Sequence, residues 1–201
     1  MAKIVSILAL WSGLGLIPLA VLAQPDPLPD FQTCMDVEIA GFEQDLSRLM
    51  ETPADERDFD IGDVRGVDYC GTVGIVRCDR SDAPIPCQQA LTVEQEALHQ
   101  RVLALLPEPD APTAPDAPFA ERLYASVWAL AHGSSAGPDC AGMPLQLETW
   151  CATREANRRV QTSVLAWQAA RYLGLAEPAV SAGWARPPPP TRPRQRPEGL
   201  R

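Results

Sequence analysis

The chain is short of the residues that most often bind metal or carry redox chemistry. Only two histidines occur in 201 residues, and neither falls at finger or ribbon spacing from the six cysteines. No two cysteines lie closer than eight positions, so C-x-x-C is absent and thiol redox chemistry has no motif to stand on. Lysine is confined to Lys3, and the bias toward Arg, Ala and Pro is of the kind that GC-rich bacterial genomes produce. Internal repeats are absent, and beyond residue 23 no apolar run is long enough to span a bilayer.

What is present begins with a leader. Lys3 precedes an apolar run from Ile4 to Ala20, and Val21-Leu22-Ala23 supplies the residues signal peptidase accepts, so residues 1–23 read as a signal peptide. Gly13, Gly15 and Pro18 weaken the alternative of an uncleaved anchor, and Gln24 stands where a lipoprotein would need cysteine. An exported chain of about 178 residues can bury a working core, and its address is periplasmic or secreted. No integral membrane segment is expected after cleavage.

Charge is distributed unevenly. Of 26 acidic and 17 basic side chains, 25 and 11 lie between Gln24 and Trp184, a net charge of about −14, whereas residues 185–201 carry five arginines against Glu198. An acidic body repels phosphate backbones, which excludes nucleic acid and favours a basic protein or an envelope component as partner. Oligomeric state is not encoded legibly.

Residues 24–184 read as one helical, disulfide-stabilised domain. Asp30 can cap a helix whose stripe is Phe31, Met35, Ile39, Phe42, Leu46 and Leu49, with Asp36, Glu38, Glu43 and Asp45 off it and Pro53 closing it. Asp58 to Gln88, with four glycines and Cys70, Cys78 and Cys87, reads as an irregular cysteine-rich insert with one short hairpin. Thr92 and Gln95 fit a capping box opening a second helix, with Leu98, Val102, Leu105 and Leu106 buried and Pro107 ending it.

Residues 107–118 form a Pro-rich spacer. Asp116 and Pro118 open a third helix that Gly133 closes, and a fourth runs from about Leu145 to Leu173, apolar on most sides and therefore central. The expected architecture is mainly α: a four-helix bundle stapled by disulfides, with a disordered Pro/Arg-rich tail over 185–201.

Six cysteines allow 15 pairings. Proximity favours Cys140 with Cys151 at the start of the last helix, Cys78 with Cys87 across a turn, and Cys34 with Cys70. Loop closure assigns these bridges ~2.8, ~2.6 and ~3.8 kcal/mol at most.

Several motifs invite a catalytic reading. Gly133-Ser134-Ser135-Ala136-Gly137 matches G-x-S-x-G, but a helix enters it and both His99 and His132 precede Ser135. Glu96 and His99 match one E-x-x-H, but residue 129 is alanine where a second copy would need glutamate, leaving a surface Glu and His pair. Asp58, Asp60 and Asp63 fail EF-hand spacing, since Tyr69 occupies the twelfth position. No catalytic, cofactor-binding or metal-ligating residue is assigned.

Arg154, Arg158, Arg159 and Arg171 are the remaining candidates, as internal ion pairs or as an anion-binding cluster, with Glu155 placed four before Arg159. The expectation is a non-enzymatic exported protein that binds through an acidic surface. Its rivals are a hydrolase or other enzyme whose site assembles only in three dimensions, and a structural envelope protein held by its basic tail.

Overall fold

The computed structural model describes residues 28–53, 56, 63–109, 118–133 and 139–187. Among them are five helices and no strand: α1 (Phe31–Glu51), α2 (Arg65–Asp79), α3 (Pro84–Leu103), α4 (Phe119–Gly133) and α5 (Leu145–Tyr172). The leader and the residues beyond Pro187 lie outside the described residues.

α1 starts where its cap requires. Asp30 is extended, and its carboxylate accepts the Thr33 N–H at 2.7 Å. That bond, first among the causes, holds the Asp30 carboxyl below the usual range. Phe31, Met35, Ile39 and Leu46 are buried as the stripe requires. Asp36 is buried too, at 3 % exposure, and so is not the solvated acid its place off the stripe suggested.

The cysteine-rich stretch differs most from expectation. Its described part is helix, not an irregular insert with a hairpin. Gly66, Gly71 and Gly74 read as turn residues, yet they are close-approach positions. A Cβ on Gly71 would meet the Asn157 amide at 2.2 Å, and one on Gly74 would meet Leu91 at 2.8 Å. Tertiary packing and the covalent ties at Cys70 and Cys78 override the local preference of glycine and β-branched residues.

α3 likewise begins earlier than the capping-box reading, at Pro84 and not at Thr92. Proline is pre-organised for a first helical turn, where the missing N–H has no intrahelical partner to lose. Thr92 is therefore interior and not a cap: its hydroxyl reaches back to the Gln88 carbonyl at 3.0 Å. Gln95 is fully buried.

α5 is the central element, packed against α2, α3 and α4, while α1 packs on α2. Its register is set by specific pairs. Gln161 donates to Asp68 at 3.0 Å and Gln168 Nε2 to the Asp63 carbonyl at 3.4 Å, so α2 runs antiparallel to α5. The Thr92 and Thr153 hydroxyls meet at 2.9 Å, and Arg159 Nε donates to Glu96 at 2.8 Å, so α3 runs parallel to it. Met35, Leu98, Val160 and Val164 are fully buried, and each such side chain contributes about 1.5–3 kcal/mol.

The thiols pair Cys34–Cys70, Cys78–Cys87 and Cys140–Cys151, the set that proximity favours, and none is free. They tie α1 to α2, α2 to α3, and the start of α5 to its incoming loop. After α5, Gly174 takes φ +72° and the chain turns back across the body. Trp184 stacks edge-on against Trp167 at 4.8 Å. Ala185 is buried and Arg186 binds Asp36, so the packed body extends two residues past the boundary expected at Trp184. No helix among the described residues is long and apolar enough to cross a membrane.

Candidate functional site

The four candidate arginines do not converge. Arg159 forks onto Glu96 of α3, and Arg171 clamps Glu43 of α1 through Nε at 3.1 Å and Nη2 at 2.9 Å. Arg158 bonds Glu155 at 2.7 Å, so the pairing that spacing suggested between Glu155 and Arg159 is replaced by one three residues apart. Arg154 stacks over the Trp150 ring at 5.3 Å. Helical geometry spreads positions 154, 158, 159 and 171 along α5: Arg159 and Arg171 reach across to α3 and α1, while Arg154 and Arg158 are held by Trp150 and Glu155 of α5 itself.

A fifth arginine was not among the candidates. Asp36 accepts from the Arg186 backbone N–H at 2.9 Å, from its Nε at 2.7 Å and from Gln32 at 2.8 Å. A buried carboxylate with three donors is well satisfied. The charge contrast between α1 and the tail was visible in sequence; which arginine would bind was not.

His99 is buried at 3 % exposure under α5 and is not half of a surface pair, and Glu96 bonds Arg159 instead. Desolvation, first among the causes, holds its imidazole below the ordinary value, which the Glu96 charge opposes. It shares the α3–α5 seam with Gln88, Gln95, Thr149 and Thr153, all buried. Both ends of the Gln95 amide and Nδ1 of His99 have no hydrogen-bond partner there.

Asp58 and Asp60 lie outside the described residues, as do Ser134 to Gly137 and Asp116. Asp63 is described, and its carboxylate is engaged by Arg65 through Nε at 2.9 Å and Nη2 at 2.5 Å. Those bonds hold its carboxyl down at about 2. Among the described residues no group of three or more His, Cys, Asp or Glu side chains could hold a metal ion.

One cavity of about 430 Å³ opens between α1, the start of α2 and α5. Ile39, Phe42, Leu46 and Val67 give it an apolar lining, and Glu38, Asp45 and Asp63 are its acids. Gln168 contributes from α5 at 3 % exposure, and its Oε1 accepts from no donor. The Glu38 carboxylate rests on Gly66, so close that a Cβ there would sit 2.0 Å from its Oε2. Sequence reasoning missed this cleft because its walls come from positions as far apart as 38 and 168; only the acids on α1 signalled it. Chemically its described residues offer acceptors over an apolar floor and no donor side chain other than the amide of Gln168.

Compared with protein-family models, curated proteins and solved structures, the chain matches none.

Proposed function

We propose that this is an exported binding protein, delivered by cleavage after Ala23, whose acidic body engages a cationic partner in the periplasm or outside the cell. The observation that carries the reading is how the protein spends its own cations. Arg158, Arg159, Arg171 and Arg186 are each committed to a carboxylate of the body, and Arg65 to Asp63. With 25 acids against 11 bases between Gln24 and Trp184, a surplus of negative charge is left for something else to neutralise. Complementary charge of that kind speeds encounter and weakens with salt. Three disulfides suit an oxidising compartment, where such bridges form and persist.

The test is affinity capture on the immobilised chain from a cell-envelope extract, eluted by a salt gradient. A basic protein that elutes as salt rises, and rebinds when purified, is the expected result. A partner held equally at low and high salt, or a partner that is acidic, counts against the reading. Intact-mass analysis of the exported form checks the leader, since retention of Met1 contradicts cleavage.

A further inference from the structure

We infer that the cavity between α1, α2 and α5 is a receptor for the side chain of an arginine presented by a basic polypeptide. The inference rests on the reading of the chain as a binder of a cationic partner and places that partner's anchoring group. Two acceptors in the cavity wall lack donors. Gln168 is 97 % buried by its 3 % exposure, and because its Nε2 faces the Asp63 carbonyl, its Oε1 is left with nothing to accept. A buried acceptor without a donor is destabilising, and an N–H brought within reach of it removes that cost. Glu38 is the second: its carboxylate lies on Gly66, with neither hydrogen bond nor ion pair to any described residue.

The donor group is identified by the floor and by the rim. Ile39, Phe42, Leu46 and Val67 would cover an aliphatic stem and the flat face of a weakly hydrated cation, and a guanidinium offers five N–H donors in a plane. The rim already demonstrates the match. Asp63, on the same cavity, takes the Arg65 guanidinium in a fork through Nε and Nη2. The same chemistry recurs where Glu43 takes Arg171 and Asp36 takes Arg186. An anion is the wrong occupant, because every charged group among the described residues of the cavity wall is a carboxylate.

The experiment is calorimetric titration of the purified chain with a capped tripeptide, acetyl-Ala-Arg-Ala-amide, with its citrulline counterpart, and with agmatine as a free alkylguanidine. The arginine peptide should bind at least tenfold more tightly than the citrulline peptide, and more tightly than agmatine. Glu38→Gln should weaken the arginine peptide at least tenfold, and Gln168→Met should weaken it as well, while Glu121→Gln on α4 leaves it within twofold. Thermal melts of each variant show whether it is folded. Should Gln168→Met not fold, Gly66→Ala, which displaces the Glu38 carboxylate, takes its place with the same expected loss.

Equal binding of the arginine and citrulline peptides overturns the inference. So does an equal effect of Glu38→Gln and Glu121→Gln, which would mean a diffuse field and no receptor, leaving the acidic-binder reading intact. Agmatine binding more tightly than the peptide would make the site one for a small free guanidine and overturn the polypeptide assignment. Failure of the capture experiment sinks the broader reading separately.

Discussion

Between Leu145 and Asn157, α5 presents Thr149, Thr153 and Asn157 to its neighbours, whereas between Val160 and Tyr172 it presents Val164, Trp167 and Ala170. The first half meets α3 through hydroxyls and amides, several of which find no partner within the protein. The second half is closed by aromatic rings, with Phe42 at 5.2 Å and Trp184 at 4.8 Å from Trp167, and by Arg171 on Glu43. One helix is thus held by two kinds of contact. Burial of aromatic surface stabilises by area, while the polar seam gains little net energy and specifies register through its few satisfied bonds. The Cys140–Cys151 bridge falls on the polar half, where packing contributes least.

The contrast can be broken most severely at the aromatic end. Trp167→Ala leaves Phe42 and Trp184 facing a void, and should cost about 3–5 kcal/mol in urea unfolding. Replacing Cys34 and Cys70 together by alanine removes the tie that holds α1 to α2, with loop closure setting an upper limit of ~3.8 kcal/mol. Differential scanning calorimetry of the double variant measures that loss. If Trp167→Ala proves the milder of the two, covalent bracing outweighs aromatic packing in this fold.

The polar half should respond in the opposite direction to an apolar substitution. Gln95→Leu replaces a buried amide that has no partner at either end, so the variant should be unchanged or stabilised by about 1 kcal/mol in the same unfolding assay. Destabilisation above about 1 kcal/mol would show that the amide is satisfied in solution and that the seam is stronger than its direct bonds suggest.

A pH series sharpens the comparison further. Burial lowers the His99 pKa from its ordinary 6.5, so below that value the unfolded chain binds more protons than the folded one. The resulting contribution to stability is complete above about pH 6.5 and declines as pH falls from there toward the folded-state pKa. Urea midpoints for the parent and His99→Gln between pH 7.5 and pH 5 should therefore converge on acidification, the parent losing more. A constant difference across the series would mean that the imidazole titrates as freely folded as unfolded.

α1, α4 and α5 were legible because each keeps an apolar stripe with stop signals at its ends: Asp30 and Pro53, Pro118 and Gly133, and Gly174. Disulfide pairing was legible where cysteines bracket a turn, as at Cys78 and Cys87, since short loops close with the least entropy. α2 was not, because glycine in a sequence marks a turn and a close helix contact alike, and only the Asn157 and Leu91 side chains lying on Gly71 and Gly74 decide between them. The inward face of α3 was misread for a related reason. Gln95 and His99 are polar, and a polar residue beside Leu98 and Val102 reads as the start of the solvated face until a parallel α5 covers it.

Local physics therefore settles a good deal before the chain packs: helical periodicity, end capping by Asp30, the excess of carboxylates and the even set of thiols all depend on neighbours a few residues away. The ion pairs that join distant segments and the cleft between α1, α2 and α5 depend on residues 60 to 150 positions apart, as with Arg159 on Glu96 or Arg186 on Asp36. Those were decided when α5 took its place among the other helices, because a charge or an unpaired amide has no preferred partner until burial removes water as the alternative.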